Sequence, residues 1–196
     1  MKTEDIRVED ISKRFGSKQV LKDFSAIFPA GQVSIVMGES GCGKTTLLSL
    51  ILGIETPDGG KITGVPGRMS AVFQEDRLCE DFSARTNVRI TAAKGTTQSD
   101  IVDALSALGL GDNIKTPARE LSGGMKRRVA IARAMLAESS LVILDEPFAG
   151  LDEANRAAAA AFIRSKLCGR TLIAVTHSHT DAEMLGACQV IKMSPI

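Results

Sequence analysis

The sequence predicts an α/β fold: a mainly parallel sheet covered by helices, with an antiparallel β subdomain at the N-terminus and an inserted helical lobe. Three observations carry this. Strand and helix patterns alternate from Gly124 to Ile191, as parallel strands joined by helical crossovers do. The apolar run Val33-Ser34-Ile35-Val36-Met37 leads directly into Gly38-Glu39-Ser40-Gly41-Cys42-Gly43-Lys44-Thr45 and then into helical spacing, setting a glycine-rich loop between a buried strand and a helix. Between Arg77 and Ala118 the strand signals fade and helical spacing replaces them.

Taken in order, Ile6-Arg7-Val8 and Val20 to Phe28 alternate apolar and polar residues, as half-exposed strands do. A Pro29-Ala30-Gly31 turn precedes the strand Val33 to Met37, whose apolar character predicts burial on both faces. Thr46 to Leu52 has helical spacing, Pro57-Asp58-Gly59-Gly60 is a turn signal, and Ser70 to Phe73 is a short strand. Asp100 to Leu108 reads as a helix capped by Ser99 or Asp100 and ended by Gly109 or Gly111. There follow helix Gly124 to Leu136, strand Leu141 to Leu144, helix Glu153 to Leu167, strand Thr171 to Val175, helix Thr180 to Leu185 and strand Gln189 to Ile191. The run Ala157 to Ala161 is a helix face, and no repeat or low-complexity linker interrupts the pattern. The expected organisation is one domain over residues 1–196, with a core of 1–76 and 119–196 and a lobe of about 77–118.

Composition narrows the function. A net charge of +1 leaves no basic footprint for nucleic acid, so phosphate contacts must be local. Trp and Tyr are absent, and 7 Phe allow stacking on one base rather than along a strand. The 4 cysteines show neither metal spacing nor a disulfide framework, which predicts free thiols in a reducing compartment. The polar start, Met1 to Asp5, lacks the apolar core of a signal peptide. The longest apolar stretch, Leu47 to Ile54, is far short of the roughly 20 residues that span a bilayer, so a membrane role requires a partner that does.

The loop itself carries chemistry. Its glycines let the backbone curl so that amide N–H groups point inward, and the helix that follows adds the positive end of its dipole. Lys44 can then reach the β- and γ-phosphates, and Thr45 can hold Mg²⁺. This is a phosphate-binding loop, and the core it implies is that of a P-loop NTPase. Leu141 to Leu144 deliver Asp145 and Glu146 to the carboxyl end of a buried strand, the edge where open α/β sheets bind ligands. Asp145 is placed to hold Mg²⁺ opposite Thr45, and Glu146 to polarise an attacking water.

Leu121-Ser122-Gly123-Gly124-Met125-Lys126-Arg127-Arg128 precedes Leu141-Val142-Ile143-Leu144-Asp145-Glu146-Pro147 by one amphipathic helix. With Gln74, the Gly150-Leu151-Asp152 turn and His177, this order resembles the ATP-binding cassette family over roughly Ile6 to Met193. The resemblance implies an ATPase that uses ATP and Mg²⁺. Gly38, Glu39, Ser40, Gly41, Cys42, Gly43, Lys44, Thr45 and Thr46 would surround the phosphates, with Thr45, Gln74 and Asp145 at the metal. Glu146, His177 and Gln74 would form the hydrolytic set, with His177 holding Glu146 and reaching the γ-phosphate. Phe15 would stack on adenine in place of the family's more usual Tyr. Ser122, Gly123 and Gly124 open a second helix, and with Asp152 they would close on the ATP held by another cassette. That implies a head-to-tail homodimer or a paired cassette subunit. Met125 stands where Gln is more frequent. Cys42, beside a helix N-terminus and Lys44, is expected to be a reactive thiol whose alkylation blocks activity.

The stretch from Gln74 through Val88 falls where relatives dock a permease, and its wording is similar to ATPase subunits that import nitrate, sulfonates or taurine. The expectation is therefore a cytoplasmic ATPase on the inner face of the cell membrane, powering a separate integral membrane permease of a bacterial importer. The alternative is a soluble single-cassette ATPase of a non-transport machine, such as cluster assembly or cell division. A small-molecule kinase is disfavoured by the stretch Leu121 to Arg128, and the short run after His177 predicts no regulatory domain.

Overall fold

The computed structural model describes residues 4–196, so the reading of Met1 to Thr3 lies outside the described residues. β1 (Ile6–Phe15) and β2 (Lys18–Phe28) form an antiparallel hairpin, followed by β3 (Val33–Gly38), α1 (Lys44–Ile51) and β4 (Gly59–Thr63). β5 (Met69–Val72) leads to α2 (Ala84–Arg89) and α3 (Gln98–Ala107), and two short 3-10 turns precede α4 (Gly123–Leu136). The chain closes with β6 (Leu141–Asp145), α5 (Glu153–Leu167), β7 (Thr171–Val175), α6 (His179–Leu185) and β8 (Gln189–Met193). β1 pairs with β2 on one side and β4 on the other, while a parallel sheet runs in the order β5-β6-β7-β3-β8. The α/β fold with its antiparallel N-terminal sheet is as the sequence predicts.

Strand alternation explains how the parallel sheet is covered on both faces. Ile35, Val142, Leu144, Leu172 and Ala174 point into a core shared with α2 to α6. Their neighbours Val36, Leu141, Ile143, Ile173 and Val175 point the other way, to α1 and the antiparallel sheet. A period of two along each strand sends consecutive side chains to opposite faces, and apolar residues at both parities demand cover on both.

Several boundaries differ from the sequence reading. β1 continues to Phe15 because register shifts between Val8 and Ile11 absorb its polar middle, with Asp10 at φ 50°. Gly59 and Gly60 begin β4 rather than ending in a turn. At Gly60 a Cβ would sit 2.3 Å from the Glu9 carbonyl oxygen, so the glycine serves a close strand approach. α3 is capped by Thr97, whose hydroxyl accepts from the Asp100 N–H while the Asp100 carboxylate accepts from the Thr97 N–H. Asp100 is thus the returning half of a capping box, and the cap lies upstream of the expected position.

α2 was not visible in the sequence, because only six residues form it and most are polar. Its anchor is Asn87, fully buried. Its Nδ2 donates to the carbonyls of Cys79 and Phe82, both at 3.0 Å, and its Oδ1 accepts from the Cys79 N–H at 2.8 Å. Removing that amide strands buried loop carbonyls. Asn87→Ala is therefore expected to destabilise the chain by about 2–3 kcal/mol in urea titration, and an effect below about 0.5 kcal/mol would show that water replaces the amide.

Candidate nucleotide site

β3 is buried between β7 and β8, and its carboxyl end releases the chain into the loop that precedes α1. Gly43, at φ 98°, caps α1 without a side-chain bond. A Cβ there would meet the Val20 carbonyl oxygen and a Leu21 methyl, each at 2.9 Å, so both backbone angle and space demand glycine. The Lys44 ammonium curls over the loop, donating to the carbonyls of Gly38 and Glu39, each at 2.8 Å. A cavity of about 700 Å³ opens here. The loop from Gly38 to Thr46 forms its floor, except that Cys42 does not line it.

Cys42 departs from expectation. Its side chain is 2% exposed and packs in the core that contains Val36 and Leu47. A Cβ on Gly38 would lie 2.7 Å from its sulfur, which locates the thiol behind the loop rather than before it. Only the backbone of Cys42 is available to a ligand, and the expectation of a reactive thiol is corrected on this ground. All four cysteines are free, as predicted.

Across the cavity, β6 presents Asp145, 3% exposed. The Thr45 hydroxyl donates to its Oδ2 at 2.8 Å, joining the first turn of α1 to the end of β6. Burial pushes the Asp145 carboxyl above its ordinary range, opposed by the Thr45 hydrogen bond and then by the charges of Lys44 and Arg127. The next residue, Glu146, has φ 47°, a left-handed conformation that costs a non-glycine residue about 1 kcal/mol. Its N–H extends the β6–β7 ladder by donating to the Val175 carbonyl at 3.0 Å, and then the chain turns. His177 Nδ1 lies 3.2 and 3.1 Å from the two Glu146 oxygens. A carboxylate only accepts, so Nδ1 carries the proton. Gln74, Glu146 and His177 all line the cavity.

Phe15, 46% exposed at the end of β1, is paired in register with Lys18, which lines the cavity. Ser122 and Gly123 are exposed at the start of α4 and lie outside the cavity. The Ser122 hydroxyl caps that helix, accepting from the Met125 N–H at 3.3 Å. A Cβ on Gly124 would come within 3.2 Å of the Gly150 carbonyl oxygen, so this turn packs against the one leading to Asp152. Asp152 caps α5, accepting from the Asn155 N–H at 2.8 Å. One chain thus brings together Gly38 to Thr46, Gln74, Asp145, Glu146 and His177, and holds Ser122, Gly123 and Gly124 apart from them.

A family model described as ABC transporter matches residues 21–149. The chain belongs to the ABC transporter family. The aliphatic sulfonates import ATP-binding protein of Pseudomonas fluorescens is 37% identical over 186 residues, covering 90% of this chain and 69% of that protein. The taurine import ATP-binding protein of Roseobacter denitrificans is 35% identical over 209 residues, covering 97% and 78%. Among solved structures, a bacterial Atm1-family ABC exporter with ATP bound superposes with a TM-score of 0.87 at 19% identity, covering 97% of this chain and 37% of that one. At that identity the exporter speaks for the fold alone.

As an ABC ATPase the cassette uses ATP with Mg²⁺, and the residues present fit both. Thr45 and Asp145 offer hard oxygens within hydrogen-bond distance of one another, and the Gln74 amide lines the same cavity. Among the described residues no group of three or more His, Cys, Asp or Glu is placed to hold a metal ion by itself. Such a donor set suits Mg²⁺, which keeps waters and shares its ligands with phosphates rather than filling a protein cage.

The sequence reading missed the arginines behind this site. Arg127 and Arg133 bond to the backbone around Gln74, and the Arg128 Nη1 donates to the Leu108 carbonyl at 2.6 Å. The basic run Lys126-Arg127-Arg128 was the available signal for Arg127 and Arg128, and it was read only as the end of the stretch Leu121 to Arg128 that carries the family resemblance.

Two outcomes follow from this geometry. Alkylation of the native protein, counted by mass spectrometry, should modify exposed Cys79, Cys168 and Cys188 at least about tenfold faster than Cys42; comparable rates at Cys42 would mean that the loop opens. Because the folded-state pKa of Asp145 lies above the unfolded value, the native state binds the extra proton, and stability declines as pH rises from the unfolded value through the folded one. At neutral pH without nucleotide or Mg²⁺, Asp145→Asn should therefore be more stable than wild type, by about 1 kcal/mol. A lower melting temperature under those conditions would overturn that reading.

Proposed function

We propose that the chain is the ATP-hydrolysing subunit of a bacterial importer, working from the cytoplasmic face of the inner membrane through a separate integral permease. Two curated relatives that carry import ATP-binding names support this, at 37% and 35% identity over most of the chain. No helix among the described residues is long and apolar enough to cross a membrane, and the proposed permease supplies the passage for solute. The names of these relatives concern sulfonates and taurine, and we extend only that class of small sulfonate solute to this transporter.

The observation that carries the reading is the separation of the two phosphate cradles. The loop from Gly38 to Thr46, Cys42 apart, lines the cavity of this chain, while Ser122 and Gly123 are exposed outside it and Gly124 lies half-buried beside them. A second helix N-terminus suited to an anion, set apart from the cavity, is explained if a second cassette, placed head to tail, brings its own ATP there. Asp152 would lie along the same seam. In this arrangement residues 77–118 act as a lobe that moves against the core of 1–76 and 119–196.

Lys44 exchanges the carbonyls of Gly38 and Glu39 for the β- and γ-phosphates. Thr45, Asp145 and Gln74 hold the metal, which when bound neutralises charge across the phosphate oxygens. Glu146 orients the attacking water, and His177 keeps the Glu146 carboxylate turned toward it through Nδ1. To donate to the γ-phosphate through Nε2 as well, the ring would be imidazolium. Phe15 stacks on adenine from the end of β1, adding one apolar face without a hydroxyl.

Glu146→Gln is expected to keep MgATP binding and to lower kcat by about 100-fold or more, accumulating an ATP-bound dimer visible by size exclusion. Capture of that dimer from detergent-solubilised membranes of the source cell should recover a polytopic membrane protein. Recovery with soluble partners alone would replace transport by a non-transport machine.

A further inference from the structure

Residues 73–77 join β5 to the helical segment and belong to no strand or helix, so their carbonyls have no ladder partners. Two arginines of α4 supply them. Arg127 donates from Nη1 to the Phe73 carbonyl and from Nη2 to the Gln74 carbonyl, both at 2.5 Å. Arg133 donates from Nη2 to the Asp76 carbonyl at 2.9 Å and from Nη1 to the Arg77 carbonyl at 2.7 Å. Arg127 Nε also lies 3.2 Å from Asp76 Oδ1, an ion contact without hydrogen-bond alignment, and the Arg127 side chain is only 7% exposed. Burial raises the Asp76 carboxyl, with Arg127 the strongest opposing charge.

Such a clamp is more than cover for stray carbonyls. It ties the backbone of Gln74, whose side chain reaches the phosphate cavity, to the helix whose first turn is Ser122 to Gly124. We propose that Arg127 is a positioning residue for Gln74: it locks the Gln74 backbone to α4 and so keeps the Gln74 amide aimed into the cavity. This rests on the proposed place of Gln74 at the metal. The planar fork of arginine spans two successive carbonyls while Nε faces a carboxylate, which a lysine ammonium cannot do at once. Arg133 holds the far end of the segment, so the clamp has two fixed points on one rigid helix. Arg77 adds a third restraint, its guanidinium 3.9 Å from the centre of the Phe73 ring.

The test is a cycle in MgATP hydrolysis by the full chain, comparing wild type, Gln74→Ala, Arg127→Met with Asp76→Asn, and all three substitutions together. Removing Asp76 with Arg127 avoids leaving a buried carboxylate alone. The paired substitution is expected to lower kcat about tenfold while KM for MgATP stays within about twofold. It should cause no further loss in the Gln74→Ala background, because groups acting through one another are not additive. The same fractional loss in both backgrounds would overturn the proposal, since a purely structural arginine damages either protein alike. Arg127→Lys should fall at least about threefold in kcat in the wild-type background and not at all beyond Gln74→Ala; a lysine with the full wild-type rate overturns it. If the paired variant does not fold, the lysine variant carries the cycle. Gln74→Ala alone reports on the site: a kcat at the wild-type level removes Gln74 from the machinery, and the proposal falls with it.

Discussion

The nucleotide site depends on the register of three buried parallel strands. Val36 of β3 sits beside Val175 of β7, and Val175 sits beside Asp145 of β6, so the three chains leave the sheet at one level. Past that level come Gly38 with its loop, His177, and Glu146. A slip of one residue in any pairing would turn alternate side chains to the wrong face, burying the wrong set and moving a functional group by a strand step. The apolar residues at both parities of each strand make such a slip costly, because both faces are fully covered. Burial of the sheet and placement of the chemistry are therefore one constraint.

Where the backbone leaves the sheet, side chains take over the hydrogen bonding. Asn87 closes the turn before α2, and Arg127 and Arg133 close the segment after β5. Beneath His177, the Thr176 hydroxyl donates to Asp181 Oδ2 at 2.7 Å, and Arg156 of α5 lies 3.5 Å from the other oxygen. Asn87, Arg127, Thr176 and Asp181 are buried, and the arginines reach segments more than twenty residues away in sequence. A buried network of this kind gives a single arrangement rather than raw stability, since its charges are costly to desolvate. Irregular segments around the cavity can then be specific without being regular.

That division also explains what could be read from the sequence. The strands of the parallel sheet, α1, α4 and α5 were legible because their apolar spacing is set by burial against a large neighbour. Gly38 to Thr46, Asp145 and Glu146 were legible because their chemistry is local in sequence. Asn87 and Arg127 were not, because each works through carbonyls whose positions exist only after folding. β4 was hidden by Gly59 and Gly60, which signal a turn unless the strand they approach is known. Cys42 was located in the right loop but taken for a reactive thiol, because its packing against the core that holds Val36 and Leu47 exists only after folding.

Three local rules are broken in and around the phosphate site. Asp145 is a carboxyl buried to the point that its ionised form is disfavoured, and Glu146 occupies a backbone region better suited to glycine or asparagine. Neither substitute would keep a carboxylate at that turn, so the strain at Glu146 is tolerated for the group it aims. Ser122 and Gly123 leave a helix N-terminus bare to solvent. On the proposed reading a single event relieves two of the three: a cation beside Asp145 favours its ionised form, and the partner's phosphate meets the helix dipole. The strain at Glu146 is the exception. It is held by the β6–β7 ladder of this chain alone, which aims the carboxylate before the substrate arrives. Conflicts removed by binding draw the cassette closed, and the one that binding leaves in place keeps it ready for hydrolysis.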